Sequence, residues 1–120
     1  MKLLKTKKDK EQFLFWVATL ESGVLRKAKN ALQYKNGYCC LGVGVACTVP
    51  EGLIDKDFDG ETLYGSVPDE QISAPQWLRD INGDFEGKAG RGKTLGRLND
   101  SGWTHKRIAR ELLKVYGPEL

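Results

Sequence analysis

The chain has 120 residues, 40% of them apolar and 29% charged, with a net charge of +3. This composition fits one globular domain, residues 1–120, with a core that needs no staples, and no apolar run approaches the roughly 20 residues that span a bilayer. Three cysteines, two of them adjacent, make a poor disulfide framework and fit reduced thiols in a cytosol, and Met1-Lys2-Leu3-Leu4-Lys5 lacks the apolar stretch of a secretory signal.

Thr6, with Asp9 three residues on, predicts a helix start, and Phe13, Trp16, Val17 and Leu20 follow at helical spacing until Gly23. The first helix is therefore expected at about residues 7–22. Residues 31–35 read as a short strand, turned at Asn36-Gly37 into Cys39-Cys40-Leu41-Gly42-Val43-Gly44-Val45. That segment is apolar enough to be buried, and a helix over about 39–48, stopped before Pro50, is favoured over a strand. Leu63-Tyr64 and Val67 lie between turn residues within 51–72, which predicts a small hairpin. Pro75 suits the first turn of a helix carrying Trp77, Leu78 and Ile81. Residues 82–93 read as a Gly-rich basic loop, 94–99 as a short helix, and Asp100-Ser101-Gly102 as a turn. Thr104 then caps a last helix with Ile108, Leu112, Val115 and Tyr116 inward, ended by Gly117-Pro118. The expected class is α+β: a compact single domain, mainly helical, with a small β-hairpin or short sheet.

Several patterns carry candidate chemistry. Gly87 to Thr94 satisfies G-x-x-x-x-G-K-T, the phosphate-binding loop in which backbone N–H groups cradle phosphates and the Thr holds magnesium. The stretch before it, Asp80 to Glu86, is not the buried strand that such a loop needs. A looser role is the holding of an anion by a basic Gly-rich loop that leads into a helix. Residues 87–110 hold seven Lys or Arg against Asp100 alone, a block of +6. Lys88, Arg91, Lys93 and Arg97, with Lys106, Arg107 and Arg110 nearby, are the candidate anion-binding residues.

Asp55, Asp57, Asp59 and Glu61 imitate half of a calcium loop, but Ser66 stands where the closing carboxylate belongs, so turn chemistry is the simpler account. Cys39, Cys40, Cys47 and His105 do not have the spacing of a zinc site, and no metal or cofactor is expected. Cys39 or Cys40 at a helix start, with His105 as base, is the weak candidate for a catalytic thiol. His105, beside Lys106 and Arg107, reads as exposed. Thr104 to Leu112 is like the first helix of a helix-turn-helix, with too little chain after it for a recognition helix.

Three patches occur together: Phe13 to Gly23 (FLxWVxxLESG), Gly37 to Val43 (GYCCLGV) and Thr94 to Ala109 (TLxxLNDSGWTxxxIA). In this order and spacing the chain resembles a family of small tailed-bacteriophage and prophage proteins. The resemblance implies a phage origin and action in the host bacterial cytoplasm, and it names no reaction. It also implies an apolar residue at the position of His105, which weakens a Cys–His pair. The expectation is a small phage accessory protein that acts by binding, in host takeover or against defence, rather than by catalysis. Its target would be a host protein or a phosphate-bearing small molecule. Two alternatives stand: a nucleic-acid binder using the basic 87–110 segment, and a cysteine-dependent hydrolase or transferase using Cys39 or Cys40. The sequence leaves the oligomeric state open.

Overall fold

Helix α1 (Lys7–Ser22) begins with a full capping box, in which the Thr6 hydroxyl accepts from the Asp9 N–H and the Asp9 carboxylate accepts from the Thr6 N–H. It ends at Gly23, whose φ of 67° is the left-handed conformation that a side chain disfavours. In the computed structural model the described residues are 2–24, 26–27, 31–34, 37–48, 62–64 and 75–120, with side chains described for 2–24, 38–48 and 75–120. After α1 come β1 (Arg26–Lys27), β2 (Ala31–Tyr34), β3 (Gly37–Tyr38), α2 (Cys40–Thr48), β4 (Thr62–Tyr64), α3 (Gln76–Asp84), α4 (Leu95–Asp100) and α5 (His105–Tyr116). Single 3-10 turns at Phe85–Gly87 and Gly117–Glu119 close α3 and α5.

The expected α+β class is corrected to a predominantly helical one. Among residues with described side chains, 72% are helical and 1% are in strand. The strand segments are two to four residues long, hydrogen-bonded in the order β1-β3-β2-β4, with β3 parallel to β1 and β2 antiparallel to β3 and β4. Segments this short do not make a β layer with a core-facing surface. The hairpin expected within 51–72 is not what the described part shows. Thr62–Tyr64 pairs with Ala31–Tyr34, far away in sequence, and the rest of that stretch lies outside the described residues, as does the half calcium loop.

The core is built by helices. Phe13, Trp16, Val17 and Leu20 of α1 meet Leu41, Val43 and Val45 of α2, Trp77, Leu78 and Ile81 of α3, and Ile108, Ala109, Leu112 and Tyr116 of α5. Phe13 sits at the centre of an aromatic group, edge-on to Trp16, Trp77 and Tyr116 with ring centroids 6.1–6.2 Å away. Such pairs contribute about 0.5–1.5 kcal/mol each beyond area burial. Both indole N–H groups of this aromatic group are satisfied: Trp16 donates to the Cys40 carbonyl at 2.9 Å and Trp77 to Gln12 at 3.1 Å. The two ends of the described chain are clasped, because Glu119 accepts from the Leu3 and Leu4 N–H groups at 2.7 and 2.8 Å.

Gly42 and Gly44 do not break α2, although each lowers helix propensity by about 1 kcal/mol relative to Ala. Gly44 is required by packing: a Cβ there would lie 2.8 Å from a Leu78 methyl and 3.2 Å from Trp16 Nε1. Buried amides place the short elements. Asn99 Oδ1 accepts from the Cys40 N–H at the start of α2 (3.1 Å), and Asn82 Oδ1 accepts from the Gly96 N–H in α4 (3.1 Å). Helices α2, α3 and α4 are thus tied together by polar bonds as well as apolar contact.

Candidate anion-binding groove

The segment 85–94 determines where the basic side chains go. Its backbone folds back on the 3-10 turn: the Lys88 and Gly90 N–H groups donate to the Phe85 carbonyl, Gly92 donates to Glu86, and Lys93 donates to Gly90. These N–H groups are therefore committed, and the loop is not a phosphate cradle of backbone amides. Thr94, the residue that would hold magnesium, instead caps α4, its hydroxyl accepting from the Arg97 N–H at 3.4 Å. Gly90 serves this fold-back, since a Cβ there would meet backbone carbonyl oxygens of Lys93 and Phe85, the second at 2.7 Å. The G-x-x-x-x-G-K-T match is thereby explained by loop construction.

What the loop leaves outside is its cations. Lys88, Arg91 and Lys93 of the loop line an open groove of about 610 Å³ together with Arg107, Glu111 and Lys114 of α5, and Ala89, Gly90, Leu98 and Trp103 complete the lining. Arg91 has a φ of 51°, in a region that a non-glycine residue enters at a cost of about 1–2 kcal/mol. The Arg107 guanidinium lies 3.8 Å from the centroid of the half-buried Trp103 ring, a cation–π contact. Phe85 meets the same ring edge-on at 6.5 Å, so the Trp103 platform is fixed on two sides. Among the described residues the ion pair within 4.0 Å joins Lys7 and Glu11, leaving the groove cations without carboxylate partners.

Of the seven anion-binding candidates, the structure brings together Lys88, Arg91, Lys93 and Arg107. The other three are not part of the groove. Arg97 is exposed on α4. Lys106 faces the end of α1 near Gly23. Arg110 lines a separate apolar cleft with Leu14, Ala18, Glu21 and Leu113. Sequence reading missed Lys114 and Glu111, although Arg107, Glu111 and Lys114 stand at i, i+4 and i+7 and so share one helix face.

The cysteine candidates take a different place. Cys39 and Cys40 are buried, and burial pushes the Cys39 thiol up to about 11 and the Cys40 thiol well above its ordinary value. Cys40 Sγ donates to the Leu95 carbonyl at 3.6 Å, which requires the protonated thiol, while Cys39 Sγ accepts from the Gly42 N–H. A nucleophile needs the thiolate, and neither thiol is placed to be one. Cys47 is also pushed up by burial and touches Thr19 Oγ1 at 3.5 Å.

His105 is not exposed as its neighbours suggested. It is 6% accessible and its Nε2 lies 3.1 Å from the Tyr38 carbonyl oxygen, a geometry in which Nε2–H donates. The reason is helical register: residues 105, 108, 109, 112 and 116 are the buried face of α5. Among the described residues no group of His, Cys, Asp or Glu is placed to hold a metal ion. No helix among them is long and apolar enough to cross a membrane.

Compared with protein-family models, curated proteins and solved structures, the chain matches none. The functional reading therefore rests on the groove itself.

Proposed function

We propose that this protein acts by binding, and that its basic groove takes a phosphate-bearing small molecule. One observation carries the proposal: five cations from two separate elements, Lys88, Arg91 and Lys93 of the loop and Arg107 and Lys114 of α5, converge on one groove. Guanidinium and ammonium groups without carboxylate partners are matched by phosphate oxygens, with Arg able to bind two oxygens at once. A volume of this order is that of small-ligand sites. The protonated, buried thiols support a binding protein over a cysteine enzyme. The three motif patches support a phage accessory protein working in the host cytoplasm, in host takeover or against defence.

Native mass spectrometry of the protein purified gently from bacterial cells tests this reading. The expected result is a reproducible small-molecule adduct that disappears in the double variant Lys88→Ala, Lys93→Ala while the fold is retained. A clean apo mass, together with no binding of added inorganic tripolyphosphate, would overturn it.

A further inference from the structure

The acidic member of the groove narrows the ligand class. Glu111 lines the groove half-buried on α5, between Arg107 one turn before it and Lys114 nearly one turn after it, yet it forms no ion pair with either. Arg107 is instead laid on the Trp103 ring. A carboxylate in this position repels phosphate and accepts hydrogen bonds only, so its partner on a ligand must be a donor. The Arg107 guanidinium, centred 3.8 Å over the ring and exposed to solvent, is the kind of planar cation on which nucleobases stack. Glu111 follows four residues on, a rise of about 6 Å along the helix, a separation comparable to that between a nucleobase and the hydroxyls of its own ribose.

We infer that the groove binds a ribonucleoside phosphate as a discrete small molecule. Its base rests on the Trp103–Arg107 stack, its ribose hydroxyls donate to Glu111, and its phosphates lie on Lys88, Arg91 and Lys93 across the groove. This inference rests on the proposed phosphate-binding function and adds to it a sugar and a base. It also separates the small molecule from a nucleic-acid strand. A strand following α5 would carry a phosphate past Glu111 at each step, whereas a mononucleotide can keep its charge on the cations of the loop.

The test is calorimetric titration of the intact chain, at one fixed salt concentration, with the four common ribonucleoside triphosphates, their 2′-deoxy counterparts, inorganic tripolyphosphate and a short oligoribonucleotide. The expected result is binding of tripolyphosphate, with at least one ribonucleotide bound tighter than tripolyphosphate and about tenfold tighter than its deoxy form. In Glu111→Ala the ribo-to-deoxy ratio should fall towards one while tripolyphosphate binds as well or better. In Arg107→Ala the advantage of nucleotide over tripolyphosphate should shrink. Binding of tripolyphosphate with no ribo-to-deoxy difference for any base would overturn this inference and leave the phosphate reading standing. Oligoribonucleotide binding tighter than every mononucleotide would also overturn it. Failure of every anion to bind would overturn both.

Discussion

The cysteine helix and the basic loop both carry glycines among residues of suggestive chemistry, and the fold treats them in opposite ways. In α2 Gly44 brings the backbone up against Leu78 and Trp16, and the thiols of Cys39 and Cys40 disappear into the core. In the 85–94 loop Gly90 lets the backbone turn on itself, which commits the amides of Lys88, Gly90, Gly92 and Lys93 and leaves the side chains of Lys88, Arg91 and Lys93 outside. Burial removes chemistry from the first segment by keeping its thiols neutral. Fold-back removes backbone chemistry from the second and leaves side-chain charge. The lesson is that a reactive residue type has a function only in proportion to what its hydrogen bonds and solvent leave free.

The two glycines give the sharpest way to break this comparison. Gly90→Ala forces a methyl against two backbone carbonyls that cannot move independently. The expected loss is about 3 kcal/mol or more of unfolding free energy, at the upper end of overpacking effects. Gly44→Ala meets the flexible end of Leu78, which can shift, so about 1–2 kcal/mol is expected. Chemical denaturation of both variants checks the order, and a Gly90→Ala protein as stable as Gly44→Ala would mean that the loop is not built by fold-back.

Alkaline pH probes the cysteine side. The folded Cys39 thiol titrates near 11 against 9.0 when unfolded. Between these values the unfolded chain releases a proton that the folded one keeps, so stability falls as pH rises. The window opens near pH 9, and Cys39 alone accounts for on the order of 2–3 kcal/mol by pH 11. Cys40, Cys47 and Tyr116, all raised mainly by burial, act in the same direction. Denaturation midpoints should therefore hold level up to about pH 8 and decline above 9, and Cys39→Ala should flatten part of the decline. At pH 8, iodoacetamide should label Cys39 and Cys40 of the folded protein far more slowly than those of the urea-unfolded chain. Fast labelling of either would restore the enzyme reading.

The smallest stability effect, and the most telling for function, is at Arg91. Glycine suits its left-handed backbone better, so Arg91→Gly should leave stability unchanged or raise it by up to about 1 kcal/mol. The same variant should weaken tripolyphosphate binding by several-fold. A variant that loses stability and keeps full affinity would separate Arg91 from the groove.

Much of the helical framework was legible in local sequence. The Thr6–Asp9 box, the apolar spacing of α1 and α5, and the Thr94 and Thr104 caps all concern contacts within a turn or two, which spacing alone specifies. Even buried His105 was written there, since it stands three and four residues before Ile108 and Ala109. Its charged neighbours obscured a register that α5 obeys. The partner of Thr62–Tyr64 was not legible, because strand pairing across nearly thirty residues leaves no mark on the spacing within either segment.

Where the helices start and stop, and that one block carries the positive charge, is set along the chain, because those properties depend on neighbours in sequence. Tertiary structure alone decided which cations share a groove, that Glu111 and Lys114 join them, and that Arg107 lies on Trp103. It also decided that the paired cysteines stay protonated. Charge convergence and desolvation depend on what stands nearby in space, and here those neighbours come from the 85–94 loop, α4 and α5 on one side and from α1, α3 and α4 on the other.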